Sequence, residues 1–221
     1  MKKAPLLIPI ALICIIVVAL VWQFLIKGNV LADKEPYYEP FDGAGTWMVG
    51  EDADASGLVQ DGSYEIVINS ISDTFWVTAG KDFSDGVFEV EATPLEGALD
   101  NGYGMIFRVD EDDGDFYLFK ISSDGYGFIG RCQNHCQETQ AFVSNDWFPS
   151  PNIIEGFGET NKLRVSAAGS EMTFYVNDVE VGQITNDELK RGDIGLIAET
   201  FAPGGVRIAF DNFKVTPFED N

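Results

Sequence analysis

Three stretches carry side chains able to bind a metal, move a proton or react. The first is DEDDGDFY at 110–117, five acids around Gly114. Clustered carboxylates of this kind suit a calcium ion. An EF-hand loop needs glycine sixth and an acid first, and with Gly114 sixth the first position is Val109, so the register fails. Between GMIFRV and LFKIS, Asp113–Gly114 reads instead as a hairpin turn, and the acids as its solvated tip. The second stretch is RCQNHC, with Cys132, His135 and Cys136 inside five positions. Three crowded donors without a distant fourth do not match zinc spacing, and the order differs from a haem-attachment motif. A Cys132–Cys136 disulfide is expected, worth about 2 kcal/mol in the chain-entropy account of so short a loop. The third concerns nucleophiles: with one histidine in the chain, no Ser/His/Asp constellation emerges.

Side chains suited to binding are more numerous. Arg108 ends MIFR and Tyr117 begins YLF, so the two are expected as neighbours across the hairpin. Trp76 in TFWVTAG and Trp147 in NDWFPS are candidate stacking surfaces. Sugar sites combine such platforms with a few fixed polar groups, although core or edge packing would also account for Trp76 and Tyr117.

The elements that must position these residues are strands. SYEIVINS, GVFEVEAT, GYGMIFRV, FYLFKIS, KLRVSAA, EMTFYVN and VRIAFDNFKV are short, β-branched or aromatic, and separated by Gly, Asp, Asn or Ser. In VFEVEAT, Phe88, Val90 and Ala92 share one face while Glu89 and Glu91 share the other; Met172, Phe174 and Val176 repeat the pattern. AGSE at 168–171 and VNDV at 176–179 have hairpin chemistry. Only TNDELKRG suggests a helical turn, capped by Thr185 or Asn186. About a dozen antiparallel strands imply an all-β fold of two packed sheets or a barrel. Residues 131–161 break the rhythm; a long loop there is expected to be functional, and Phe142, Trp147 and Phe148 to pack it.

Residues 4–26 contain no charge. As a helix they would span roughly 35 Å, enough for the ~30 Å bilayer core. Lys2 and Lys3 then keep the amino end cytoplasmic, and Trp22 sits near the far interface. Cleavage after Ala32 is the rival, but the run is too long for a signal-peptide core. The expected organisation is an anchor at 1–29, a linker at 30–40, a β-sandwich at 41–217 and a tail at 218–221, at the cell membrane with the sandwich extracytoplasmic. Cys14 falls in the span, while Cys132 and Cys136 lie in the exported part, where disulfides persist. Three of the 14 basic residues and none of the 36 acidic ones lie in the first 30 positions, so the remainder carries a net −25. That surface repels phosphate backbones and anionic headgroups; nucleic acid is excluded as a partner, and the membrane is met only through the anchor.

YGMIFRVDEDDGDFYLFKISSDGYGFIGR, NKLRVSAAGSEMTFYVNDVEVGQI and GDIGLIAETFAPGGVRIAFDNFKV resemble the concanavalin A-like lectin/glucanase superfamily. They are closest to the family sixteen-type, 3-keto-disaccharide hydrolase-like domain of bacterial envelope proteins. The resemblance covers about Phe41 to Pro217 and implies a jelly-roll β-sandwich whose curved sheet commonly holds carbohydrate. It also implies that a structural calcium, where present, lies between PFDGAG and AFDNFKV, on Asp42 and Asp211, although Asp211 capping a local backbone kink explains that residue as well. Catalytic members of the fold project E-x-D-x-x-E from one strand. The nearest run here is EVEATP, where Pro94 stands at the third acid position. The expectation is therefore a non-catalytic module binding a glycan or envelope polymer, ahead of an accessory subunit of a membrane complex and of a hydrolase-like enzyme.

Overall fold

A computed structural model describes residues 32–219 except 44, 46, 48, 52 and 53. The apolar segment 4–26 and Cys14 lie outside these residues. Among those described, no helix is long and apolar enough to cross a membrane.

Sixteen strands are present among the described residues. The first eight are β1 (Tyr37–Glu39), β2 (Gly50–Glu51), β3 (Ala55–Gln60), β4 (Ser63–Ile68), β5 (Thr74–Phe83), β6 (Gly86–Gly97), β7 (Gly102–Asp110) and β8 (Asp115–Ser122). The rest are β9 (Tyr126–Gln133), β10 (Glu138–Ala141), β11 (Phe148–Pro149), β12 (Asn161–Ala168), β13 (Glu171–Val176), β14 (Val179–Thr185), β15 (Gly192–Glu199) and β16 (Val206–Pro217). One sheet has nine strands in the order β14-β13-β12-β6-β16-β4-β3-β2, with β1 also on β16. The other has seven, β10-β9-β8-β7-β15-β5, with β11 also on β9. TNDELKRG forms no helix. Its Asn186 side-chain Oδ1 instead accepts the Glu188 N–H, a local Asx turn that competes with helix.

Alternation explains the nine-stranded sheet. Phe88, Val90 and Ala92 of β6 and Met172, Phe174 and Val176 of β13 face the core, and the intervening residues face out. The seven-stranded sheet differs, because β7 and β8 are buried on both faces. Tyr117, Phe119 and Ile121 of β8 join the main core, whereas Phe116 and Leu118 join a second cluster with Ile106, Ile197 and Phe128 on the outer face. Strands buried on both sides read as near-continuous apolar runs, as FYLFKIS does. Gly104 is required where β7 meets β8, since a Cβ there would stand 2.0 Å from the Phe119 carbonyl oxygen.

The sandwich has two poles. At the first lie the 110–115 hairpin tip, the cysteine loop, the end of β5 and the 84–85 connection to β6. There the Asp33 N–H donates to the Asp82 carbonyl oxygen, and Tyr37 pairs with Val215 near the end of β16, so the chain joins the sandwich at this pole. The acid run is a hairpin tip, as the turn chemistry predicts: the Asp110 carboxylate accepts the Asp112 N–H at 3.0 Å, and Gly114 has φ +66°. The ring of His135 lies so close that a Cβ on Gly114 would meet its Nδ1 at 1.6 Å. Cys132 and Cys136 are disulfide-bonded, with Cα atoms 4.5 Å apart. Asp115 fastens the same loop, accepting from Arg131 Nη2 at 2.7 Å and from the Asn134 N–H at 2.9 Å. At the second pole lie the connections 98–101, 122–126, 142–147 and 200–205.

Candidate functional site

A cleft of about 330 Å3 opens at the second pole, lined by Asp100, Ser122, Asp124, Tyr126, Asp146, Trp147 and Phe201. Four separate connections of this pole contribute, which is why the lining residues are scattered over a hundred positions. Tyr126 and Phe201 are exposed large rings, 42% and 37% accessible. Trp147 is held by packing, 5.5 Å from the Phe128 ring and 6.5 Å from that of Phe201 between centroids. The Asp124 carboxylate accepts from Ser122 Oγ at 2.5 Å, which fixes it in place. Close by, Tyr103 is buried and its hydroxyl accepts from Ser123 Oγ at 3.3 Å. Burial pushes its pKa up to about 12, with the Ser123 hydrogen bond lowering it and the Asp124 charge adding to the rise.

Beneath the cleft lies a buried ion pair. Lys120 of β8 is 5% exposed, and its Nζ stands 2.5 Å from Glu199 Oε1 at the end of β15. The ammonium also sits 4.9 Å from the Phe128 ring centre and 5.3 Å from that of Trp147, within cation–π range. Burial pushes the Lys120 ammonium below its ordinary value, and the Glu199 carboxylate pulls it back. Gly102 makes the arrangement fit, because a Cβ there would meet Glu199 Oε1 at 2.6 Å and Trp147 Cη2 at 2.9 Å. Trp147 is thus seated by an amine below it and a bare backbone beside it.

Of the sequence candidates, the structure brings Trp76 and Trp147 to the outer face of the seven-stranded sheet, around one apolar cluster. Only Trp147 lines the cleft; Trp76 packs tilted against Phe116 with centroids 5.6 Å apart. Arg108 and Tyr117 go elsewhere. The register of β7 against β8 shifts between Phe107 and Asp110, and Arg108 has φ +52°. This bulge turns Arg108 inward, where it is fully buried. Its guanidinium donates to the carbonyl oxygens of Ser84, Gly169 and Leu189 at 3.1, 2.9 and 3.0 Å, and to Asp85 Oδ1 at 2.9 Å. Tyr117 is also fully buried; its hydroxyl donates to Asn186 Oδ1 and accepts the Leu189 N–H. Both are internal ties of the first pole, away from the cleft.

Glu89 and Glu91 lie on the outer side of the nine-stranded sheet. Glu89 sits between Lys162 and Lys214, 3.9 Å from each, and Glu91 accepts from Asn212 Nδ2 at 3.0 Å. Asp211 accepts the Asn212 N–H at 2.6 Å. Burial raises its pKa, the Asn212 hydrogen bond lowers it, and the nearby charges of Glu91 and Asp42 raise it further. Asp42 and Asp211 are thus within electrostatic reach. Among the described residues no group of three or more His, Cys, Asp or Glu side chains could hold a metal ion. Two carboxylates fall short of calcium's six to eight oxygens, so backbone carbonyls would have to complete the shell.

The two packed sheets define a concanavalin A-like jelly roll. The chain belongs to the 3-keto-alpha-glucoside-1,2-lyase-like domain family, whose signature matches residues 37–216. Among solved structures it is similar to the carbohydrate-binding module CBM66 of Bacillus subtilis, at 16% identity and a TM-score of 0.63, covering 77% of this chain and 96% of that one. The β-glucanase of Bacillus licheniformis superposes equally well, at 10% identity and a TM-score of 0.63, over 86% and 100%. A Bacillus subtilis protein of unknown function with a galectin-like fold matches at 13% identity and a TM-score of 0.55, over 81% and 94%. No curated protein sequence matches. At these identities the structural likeness establishes the fold alone.

Proposed function

We propose that the domain binds a saccharide in the second-pole cleft, as a non-catalytic module held at the outer face of a membrane by residues 4–26. The observation that carries the reading is the meeting of three accessible or half-buried rings, Tyr126, Trp147 and Phe201, with the carboxylates of Asp100, Asp124 and Asp146 around one cleft. Rings cover the apolar faces of sugar rings, and carboxylates accept their hydroxyls. The 330 Å3 volume stands at the lower end of ligand pockets, which suits a short stretch of polymer or a chain end. The solved carbohydrate-binding module and β-glucanase support the ligand class.

A catalytic reading is favoured by the same three carboxylates and by the family's lyase-like description. The test is retention of the full chain, in mild detergent, on immobilised polysaccharides, with analysis of the soluble fraction. Saturable retention without new reducing or unsaturated ends supports binding alone. Released products would establish catalysis, and no retention on any polysaccharide would reject the cleft as a sugar site.

Calcium is a separate part of the proposal, with Asp42 and Asp211 as donors beside backbone carbonyls. The melting temperature should rise by a few degrees, or about 1 kcal/mol, when calcium replaces chelator. Asp211→Asn should abolish the rise. An unchanged melt discards the ion.

A further inference from the structure

We infer that the ligand of the second-pole cleft is positively charged: a sugar bearing free amines, such as the units of a deacetylated chitin. The inference rests on the saccharide reading above and narrows it. The cleft offers ring faces, carboxylates and the hydroxyls of Ser122 and Tyr126, with no lysine or arginine in its lining. The nearest cation, Lys120, is paired with Glu199 and buried under Trp147 and Phe128, so it is not presented to a ligand. Among the described residues, the ion pairs leave Asp100, Asp124 and Asp146 without a basic partner.

An aromatic surface beside unpaired carboxylates is the chemistry that recognises an ammonium group. The ring attracts it through its quadrupole, and the carboxylate accepts charge-assisted hydrogen bonds from it. Trp147 already takes one ammonium, that of Lys120, 5.3 Å from its centre. The net −25 of residues 31–221 adds a long-range bias of the same sign, repelling uronates, sulfates and phosphates and drawing in amines. A site for neutral sugars alone can use carboxylates as hydroxyl acceptors, but three of them without a counter-charge repel one another, a cost that a bound ammonium relieves.

The test compares short glucosamine oligomers with their fully N-acetylated counterparts of equal length, by titration calorimetry on the full chain in detergent. The free-amine oligomer should bind about tenfold more tightly or better, the scale of one added charge-assisted contact. That preference should shrink as salt rises. Asp100→Asn and Asp146→Asn should erase it. Glu111→Gln and Asp112→Asn, which change charge equally at the far pole, should leave it intact.

Equal affinity for the two oligomers overturns the inference and leaves the saccharide reading standing. Loss of the preference in Glu111→Gln or Asp112→Asn also overturns it, since the effect would then be bulk charge. Binding of neither oligomer overturns the inference, and the saccharide reading falls with it only if the immobilised polysaccharides also retain nothing.

Discussion

Replacing Arg108 by methionine should lower the stability of the domain by about 3 kcal/mol, the lower end of the range for breaking a buried ion pair. Methionine fills much of the space but offers no donor to the carbonyls of Ser84, Gly169 and Leu189, or to Asp85. The lower end applies because the Asp85 side chain is 43% exposed and water can solvate part of its charge. Arg108→Lys should recover less than half of the loss, since one ammonium cannot fork towards four acceptors. Denaturant titration measures both variants, read as a lowered midpoint at constant slope. A change below 1 kcal/mol for methionine would show that water replaces the guanidinium at little cost.

Removing the Trp147 side chain should weaken saccharide retention by roughly thirtyfold, the ~2 kcal/mol scale of an aromatic hot spot. Trp147→Ala also uncovers the Lys120–Glu199 pair, so some stability will go with it. Trp147→Phe separates the two effects, because a smaller ring still covers the pair and still offers a face to the sugar. It should recover most of the melting temperature and about half of the lost binding free energy. Unchanged affinity in a folded Trp147→Ala protein would remove the cleft from consideration.

Much of this architecture could be read from residue order. The alternation in β6 and β13 follows directly from the two-residue period of a strand, and the hairpin tips follow from their Asn-Asp and Asp-Gly chemistry. Arg108 and Tyr117 were legible as neighbours across β7 and β8, but their direction was not. One bulged residue with positive φ redirects a side chain, and nothing in MIFRVD marks it. Trp147 was legible because a tryptophan in an irregular segment has few other uses. Asp100, Asp124, Tyr126, Asp146 and Phe201 were not, since each sits in a polar connection that resembles any other until the sheet order brings their ends together. Lys120 left a signal that could have been used: one cation in FYLFKIS, a strand otherwise reading as buried on both faces, requires a partner. Its partner Glu199 is 79 positions away, so only the pairing of β8 and β15 with β7 between them identifies it.

The chain joins the sandwich at the pole carrying Asp33, Tyr37 and the cysteine loop, while the cleft opens at the other. Were residues 4–26 to tether the molecule as proposed, many copies would share one surface, and their common negative charge would keep them spaced. A strand of surrounding polymer could then be caught at several points at once, so a weak grip per molecule would still hold it firmly.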